Sequence, residues 1–500
     1  MKSEILIIIL YIAAMVAIGI ISNRKSRDMK QFVLGGRKAG AWMSAFAYGT
    51  AYFSAVVFIG YAGRNGWNFG LWVVLVGLGN AIIGSYLAWK VLAKRTRIVT
   101  NRFQLSTMPE FFNARYQDSK MRTLAAVIIF VFMTPYAASA FSGLSYLFES
   151  VFGIDYTWAI FIMAGVAGAY LTLGGYVAAL LADFIQGMIM LVGLVLMLGC
   201  VFQNPSIGGL GAGMQSMIEQ ATQIPITDFS QPNNLLSLIS LVLLTSVGTW
   251  ALPQMVHRFY AIKSDDAVKK GTIVSTGFAV IISVGAYLTG AIAKLFFTVN
   301  PSQLPMEGGA VVLDRIIPDF LTATLPGLLL GVVIVLVLSA SVTTLSSITL
   351  VSSSSMTLDL IKPHKKNMSP KGELITTRLL CVLFLVIAVV IALTKSPIQM
   401  LMSFSWGTVS GSFIGPYILG LYWKGTTRAG ARAGMCTGLI VSLGLAVASG
   451  FNAGNSPLYG VLAMIGSLLM TWFVSLFTKK FDQKHVDAML DYTETTTIAK

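Results

Sequence analysis

The 500-residue sequence predicts an all-α membrane protein that crosses the bilayer about thirteen times. Three observations predict it. Apolar residues make up 55% of the chain and charged residues only 11%, and the mean hydropathy of +0.76 lies well above that of soluble domains. Apolar runs of about 18 residues or more recur along the whole length, each long enough at about 1.5 Å per residue to cross a roughly 30 Å hydrocarbon core. The basic residues also segregate to one side of the predicted spans.

The apolar runs place spans at 4–22, 41–63, 68–89, 123–148, 156–174, 179–202, 234–256, 272–296, 325–354, 374–394, 397–421, 433–449 and 457–478. The first, preceded by Lys2 and Glu4 and followed by no small-residue cleavage site, reads as a retained helix and not a signal peptide. With the amino terminus outside, only Lys2, Arg64, Lys294, Arg315 and Lys395 of the 35 Lys and Arg fall outside or at outer span ends. The inside segments take the rest, including Arg24, Lys25, Arg27, Lys94, Arg95, Arg97, Lys362, Lys365 and Lys366. This bias is the positive-inside rule; it predicts an odd number of spans, a cytoplasmic carboxyl terminus and a multi-pass protein of the cell (inner or plasma) membrane. The net charge of +15 is then topological and calls for no nucleic acid.

The longest loops, 203–232, 297–324 and 90–122, leave no room for a catalytic domain. The sequence has no HExxH, GxSxG or Walker motif and no paired intramembrane carboxylates, so an enzyme is not expected. Cys200, Cys381 and Cys436 form no CxxC and read as buried small apolar residues. His257, His364 and His485 fall in inside loops or the tail, too scattered for a metal centre.

Two spans carry helix-weakening residues at mid-membrane. Span two has Gly49, Thr50 and Ser54 within AWMSAFAYGTAYFSAVVFIG; span seven has Gly248 and Pro253 within LLTSVGTWALPQMV. Proline removes an intrahelical hydrogen bond, and the freed carbonyl must find another partner in hydrocarbon. Either break alone could be a packing kink. Together they are five spans apart, an odd number, so a second five-helix unit enters from the opposite side. Broken helices at positions two and seven are what an inverted repeat with a midplane site produces.

Span nine, LSASVTTLSSITLVSSSSMTLDL, holds hydroxyls at Ser339, Ser341, Thr343, Thr344, Ser346, Ser347 and Thr349. Buried hydroxyls often bond the carbonyl one turn back, so some of these are packing alone. Thr343 and Thr344 lie one turn after the Ala340 carbonyl, and unwound backbone at Thr50 and Phe53 completes an oxygen shell for a hard alkali cation if the two spans meet. Asp183 is the acid nearest the inner part of an apolar segment, where an unpaired carboxylate is costly; an interfacial, solvated carboxylate is the alternative. Asp359 and Glu373 are closer to loops and need no special account.

Several segments, FVLGGRKAGAW from position 32, MPEFFNARY at 108–116, AYLTLGGYVAALLADFIQG at 169–187, LPQMVHRFYAIKS at 252–264, VTTLSSITLVSSSSMTLDL at 342–360 and GPYILGLYWKGTTRAGARAGM to Met435, resemble the sodium:solute symporter family of proline, pantothenate and glucose transporters. The resemblance implies a LeuT-like five-plus-five inverted repeat. Residues 1–40 then hold the first helix and an inside loop, and 41–421 the ten-helix core, with repeats at 41–202 and 234–421. Two additional helices occupy 422–478, and 479–500 form a polar, partly disordered cytoplasmic tail.

The resemblance further implies sodium as coupling ion, with Thr50, Phe53, Ala340, Thr343 and Thr344 as its ligands and Asp183 as the acid linked to its release. Proline transporters carry an Asp where this chain has Tyr52, and a Trp and a Tyr where it has Thr245 and Thr249, while Pro253 matches. These departures argue against proline, and LPQMVHR is nearer the pantothenate and organic-acid branches. Tyr52, Ser54, Thr245, Thr249 and Trp250 are the candidate solute liners. The expected function is sodium-coupled symport of a small organic solute (organic acid, vitamin, amino acid or sugar) by alternating access, with no obligate protein partner. A solute sensor on the same fold and an ion channel are the other readings.

Overall fold

The computed structural model describes residues 6–14, 17, 29–365 and 368–492, without the side chains of 29–31, 166–167 and 169–178. Among the described residues, eight helices are long and apolar enough to cross a membrane, and a bent pair makes a ninth. The end of the bundle that carries Lys94–Arg102, Arg122, Arg258 and Lys362 is called the basic end below.

Helix α1, Ala41–Tyr52, stops at Phe53, whose backbone is extended (φ −104°, ψ 105°). After Ser54 the chain resumes as α2, a wide π turn Val56–Tyr61 that continues into Ala62–Phe69. Gly70 (φ 55°, ψ −135°) then reverses the direction, a conformation that a side chain disfavours. The return helix α3 runs from Val74–Gly79 through Lys94–Arg102. The run Val56–Arg102 is 47 residues, about 70 Å as one rod and more than twice a hydrocarbon core. The turn at Gly70 folds it into a hairpin in which the Tyr48 hydroxyl of α1 donates to the Gly84 carbonyl of α3 at 2.7 Å.

Short helix α4, Met108–Tyr116, leads into α5, Ser119–Phe152. The following helical residues, Tyr156–Phe202, comprise α6, Tyr156–Gly165, and α7, Ala179–Phe202. α8, Gly209–Thr222, lies outside the apolar set. The bent pair is α9, Leu235–Ala251, and α10, Pro253–Tyr260, at 44°. Leu252 is extended between them, and Pro253 opens α10 at the first-turn position where its missing N–H is tolerated. α11 is Asp265–Val299. A small β-hairpin pairs Met306–Glu307 with Ala310–Val311, and α12, Ile316–Thr324, follows it. The remaining helices are α13, Gly327–His364; α14, Pro370–Ala392; α15, Ile398–Ile414; α16, Arg428–Ala448; α17, Ser456–Phe477; and α18, Gln483–Leu490.

Four expected spans fall outside the group of nine helices. Span one is described only over 6–14 and 17. Span two is divided by its break, with its second half joined to span three in Val56–Arg102. Span five is represented by the short α6. Span eleven, α15, has 17 residues; its many hydroxyl groups, including Ser403, Ser405, Thr408, Ser410 and Ser412, lower its hydropathy because they face protein and not lipid. Lys2, Arg24, Lys25, Arg27 and Lys366 and the tail beyond Tyr492 lie outside the described residues.

Burial sorts the helices. The most apolar window of α13 is 83% buried and those of α5 and α11 are 72% buried, against 33% for α14 and α16. α13 is therefore central, whereas α14 turns Leu379, Val382, Val386 and Val390 outward. α15, α16 and α17 approach through small residues. A Cβ on Gly438 would meet the Gly411 carbonyl at 2.0 Å, and one on Gly407 the Gly460 Cα at 2.7 Å. In lipid, where apolar side chains gain little by leaving their surroundings, such close backbone packing holds helices together. α2 and α11 meet in the same way: a Cβ on Gly66 would lie 2.2 Å from the Gly290 carbonyl carbon.

Four expectations are corrected. His257 is not in a loop but buried within α10. Cys381 alone of the three cysteines is buried; Cys200 is half-buried and Cys436 exposed. Asp359 is fully buried, because Arg122 Nε reaches its Oδ1 at 2.5 Å and the Thr107 hydroxyl its Oδ2 at 2.7 Å. The tail from Lys479 is ordered as far as Tyr492. Val486 and Met489 of α18 turn inward, and Arg102 bonds the Ala488 carbonyl and the Asp491 carboxylate.

Candidate functional site

The two breaks and the centre of α13 come together. At the first break, Val56 N turns to Ser54 Oγ (3.2 Å) and Val57 N to the Ser54 carbonyl (3.0 Å). A continuous helix would send these two amides to the carbonyls of Tyr52 and Phe53. Those carbonyls are thereby released beside the end of α1. Gly187 of α7 makes room for this end: a Cβ there would lie 2.4 Å from Phe46 and 3.0 Å from Thr50.

Opposite the break, the Thr343 hydroxyl lies 3.1 Å from the Thr50 carbonyl oxygen and 3.0 Å from that of Ala340. One hydroxyl proton serves one acceptor at a time, so three oxygens crowd where two hydrogen bonds cannot both be full. The neighbouring Thr344 hydroxyl is buried with no hydrogen-bond partner among the described residues. A neutral, oxygen-rich cluster with an unused hydroxyl suits a hard monovalent cation and offers nothing to a soft one. Four of the five predicted ligands, Thr50, Ala340, Thr343 and Thr344, thus sit at one contact of α1 with α13, and Phe53 is at the break itself.

Asp183 lies on the basic-end side of this cluster and is fully buried, which overturns the interfacial, solvated alternative. Its Oδ2 is 3.0 Å from Arg258 Nη2 of α10. The same nitrogen donates to the Ser347 hydroxyl, which in turn donates to the Thr343 carbonyl at 2.8 Å. A continuous path, Asp183 to Arg258 to Ser347 to Thr343, therefore joins the carboxylate to the oxygen cluster. Sequence reasoning missed Arg258. The signal was present, since a buried acid in a membrane helix needs a cation and LPQMVHR places one just after a broken helix.

Of the solute candidates, Tyr52, Thr245 and Thr249 converge. The Tyr52 hydroxyl donates to the Thr245 carbonyl at 2.5 Å, and its ring stacks on Phe53. Gly84 is the slot that admits this phenol, for a Cβ there would lie 2.1 Å from the Tyr52 oxygen. Thr245 Oγ1 meets Asn80 Oδ1 at 2.8 Å, and Thr249 Oγ1 donates to the Ser246 carbonyl at 2.7 Å. Ser54 stays at its own break. Trp250 does not join them: its indole turns to the Ile83 carbonyl of α3 (3.0 Å) and is half-buried. Asn80, Tyr136, Tyr287 and Trp406 complete the wall unforeseen. Trp406 lies 5.5 Å from Tyr136 and 6.3 Å from Tyr52, ring centre to ring centre.

Away from the basic end, α2 closes on α15. Gly60 lets Ile398 in, the Tyr61 and Ser403 hydroxyls meet at 2.5 Å, and Asn65 donates to Gln399 Oε1 at 2.8 Å. No group of three His, Cys, Asp or Glu able to hold a metal occurs among the described residues.

The profile of the sodium:solute symporter family matches residues 32–438. The chain belongs to this family. Sodium is accordingly its coupling ion, and the protein is a multi-pass sodium:solute symporter. It is 30% identical over 497 residues to the high-affinity proline transporter PutP of Bacillus subtilis, covering 96% of this chain and 99% of that one. It is 29% identical over 491 residues to sodium/proline symporter 2 of Staphylococcus saprophyticus, covering 95% and 93%. Among solved structures, a Na+-coupled sialic acid symporter in a substrate-bound outward-open state matches with a TM-score of 0.82 at 19% identity, covering 96% of this chain and 98% of that one. MHP1, a nucleobase-cation-symport-1 family transporter, matches with a TM-score of 0.55 at 13% identity, covering 92% and 98%. The fold of this symporter is thus shared with a Na+-coupled sialic acid symporter and with a transporter of the nucleobase-cation-symport-1 family.

Proposed function

We propose that this symporter carries a small organic solute inward by alternating access, with one sodium held by Thr50, Phe53, Ala340, Thr343 and Thr344. The observation that carries the reading is the Thr343 hydroxyl set between the carbonyls of Thr50 and Ala340. Sodium there bridges the broken helix to α13 and favours the conformation in which the solute site at Tyr52, Ser54, Thr245 and Thr249 is ordered. Each ligand then stabilises the state that binds the other, which is the thermodynamic meaning of coupling.

In this reading the basic end is cytoplasmic and the amino terminus outside, consistent with the positive-inside bias, and thirteen spans include repeats at 41–202 and 234–421. The α2 to α15 contact is the outer gate. Sodium leaves past Asp183, whose pairing with Arg258 links the site to the inner gate. One entering charge across about 60 mV contributes about 1.4 kcal/mol, about tenfold in accumulation before any sodium gradient is added.

The test is uptake into proteoliposomes under an inward sodium gradient, using labelled amino acids, pantothenate, monocarboxylates and sugars, with Thr344→Ala alongside. Sodium-driven accumulation that the variant abolishes or shifts to at least about tenfold higher sodium supports symport and the site. Accumulation indifferent to Thr344 keeps symport and removes the site. Solute-independent conductance without saturation would move the assignment to a channel.

A further inference from the structure

At the basic end, a groove where α16 and α17 meet the start of α5 takes no part in the sites described above. Its volume is about 460 Å³, and Gln117, Arg428, Arg432, Lys479, Lys480 and Asp482 are among its lining residues. Two elements supply the cations. Arg428 and Arg432 are one turn apart at the start of α16, and Lys479 and Lys480 follow closely on the end of α17. Arg432 is engaged, its Nε and Nη2 both on the Asp118 carboxylate. Arg428 turns its Nε to the Tyr116 carbonyl at 2.9 Å and makes no ion pair among the described residues, and neither do Lys479 and Lys480. Against four cations stand two carboxylates, Asp118 and Asp482, so a surplus of two positive charges faces the groove. Like charges gathered on one concave surface repel one another, and a bound anion relieves them.

The groove also opens toward lipid. Arg428, Arg432, Cys436 and Ile440 recur every four residues and so share one face of α16, and all four are exposed, Ile440 by 67%. From Arg432 to Ile440 that face runs about 12 Å, comparable with the roughly 15 Å depth of one leaflet's hydrocarbon. On α17, Leu469, Phe473 and Phe477 keep the same spacing down to Lys479 and are likewise exposed. Apolar faces that stand in hydrocarbon thus end at the cations, which sets the groove at headgroup depth. A soluble anion would meet the charge alone, whereas an amphiphile meets both surfaces. The positive-inside bias by itself needs no such concavity, for Lys365 and Lys371 are exposed at the same end and do not line the groove.

We propose that this groove binds the phosphate of an anionic phospholipid from the leaflet at the basic end. Arg428, Lys479 and Lys480 hold the phosphate, and the acyl chains lie along Cys436 and Ile440 of α16 and Phe473 and Phe477 of α17. Residues 479–482 join α17 to α18, and α18 reaches across to Arg102 and Lys424. A lipid held here therefore also fixes the link from which α18 departs. The site is independent of which solute the protein carries.

The experiment is native mass spectrometry of the delipidated full-length protein in neutral detergent, titrated with phosphatidylglycerol, phosphatidylcholine or inorganic phosphate. One phosphatidylglycerol is expected to bind at least about tenfold more tightly than phosphatidylcholine, since the two can share acyl chains and differ in net charge. Lys479→Gln combined with Lys480→Gln should weaken that binding about 10- to 30-fold, the loss of two cations at a membrane surface. Lys365→Gln combined with Lys371→Gln removes the same charge from the same end and should leave it unchanged. All four lysines are exposed, and equal melting temperatures of the two double variants in phosphatidylcholine exclude misfolding as the cause. Equal weakening by both pairs would reduce the effect to the general attraction of a basic surface and overturn the groove. Equal affinity for phosphatidylcholine would overturn the anion. Displacement of phosphatidylglycerol by inorganic phosphate at a similar concentration would overturn the lipid as its source.

Discussion

The two sides of the oxygen cluster around Thr343 are closed by different chemistry. Toward the basic end, closure rests on ions: Asp183 with Arg258, Asp359 with Arg122, and Asp265 with Lys94 at 2.8 Å and with Arg97. On the other side it rests mostly on neutral groups, Tyr61 with Ser403 and Asn65 with Gln399, and on glycine contacts, with one buried carboxylate, Asp314, accepting from Ile398 N at 3.1 Å. Parting neutral groups exchanges each bond for one to water at a net of about 1 kcal/mol. Parting a buried ion pair strands both charges unless water or another ion reaches them. The neutral side is thus poised to open readily, and the ionic side opens when something replaces the lost partner. In the proposed cycle, a sodium ion arriving beside Asp183 is such a replacement.

Breaking the ionic side should produce the largest effect. Arg258→Met leaves Asp183 buried and unpaired and should destabilise the folded protein by about 3–5 kcal/mol, read from unfolding in detergent. Adding Asp183→Asn should restore most of the loss; equal destabilisation of single and double variants would show that the pair is not the unit described. Next comes the glycine contact on the neutral side. Gly66→Ala pushes a methyl into the Gly290 backbone and should lower stability by about 1–3 kcal/mol, because neither backbone has a side chain that can yield. Asn65→Ala removes the one bond it makes across the contact, to Gln399, about 1 kcal/mol, along with a local bond to the Tyr61 carbonyl. It should raise the labelling rate of a cysteine introduced at Ser54 roughly fivefold from the side of Gln399. The smallest effect is expected at the rim, where Tyr492→Phe removes the hydroxyl bonded to the Leu421 carbonyl and should shift stability by about 0.5–1 kcal/mol.

The sequence exposed the two breaks and the cluster better than the ionic side or the α2 to α15 contact. Breaks at Phe53 and Leu252 were legible because Gly49, Ser54, Gly248 and Pro253 weaken a helix locally, and local chemistry suffices to place them. Thr343 and Thr344 stood out because two adjacent hydroxyls in an apolar helix are themselves a pattern. Arg258 and Asp183 are 75 positions apart in sequence, and neither composition nor period reports a pairing at that separation. Asp359 was misjudged for the same reason: near a loop in sequence, it is sealed by Arg122 and Thr107 from two other elements. Trp406 and Tyr136 were invisible as residues of the wall, since an aromatic in an apolar run looks like any packing residue until its ring contacts with Tyr52 are seen. The span count was blurred where spans are broken, short or rich in inward hydroxyls, as in α1, α6 and α15.

The meeting of Gly66 with Gly290 has a mechanical corollary. Where two backbones touch, neither helix can slide sideways into the other, and relative motion reduces to rotation about the point of contact. That point lies far from the basic end of α11. The arm from Gly290 back to Asp265 is about 37 Å at 1.5 Å per residue, whereas the arm forward to Val299 is only about 13 Å. A rocking of about 10° therefore sweeps the long arm through roughly 6 Å and the short one through roughly 2 Å. The glycine pair is a fulcrum placed off-centre, and it converts a slight tilt at one mouth of the protein into a wide swing at the other.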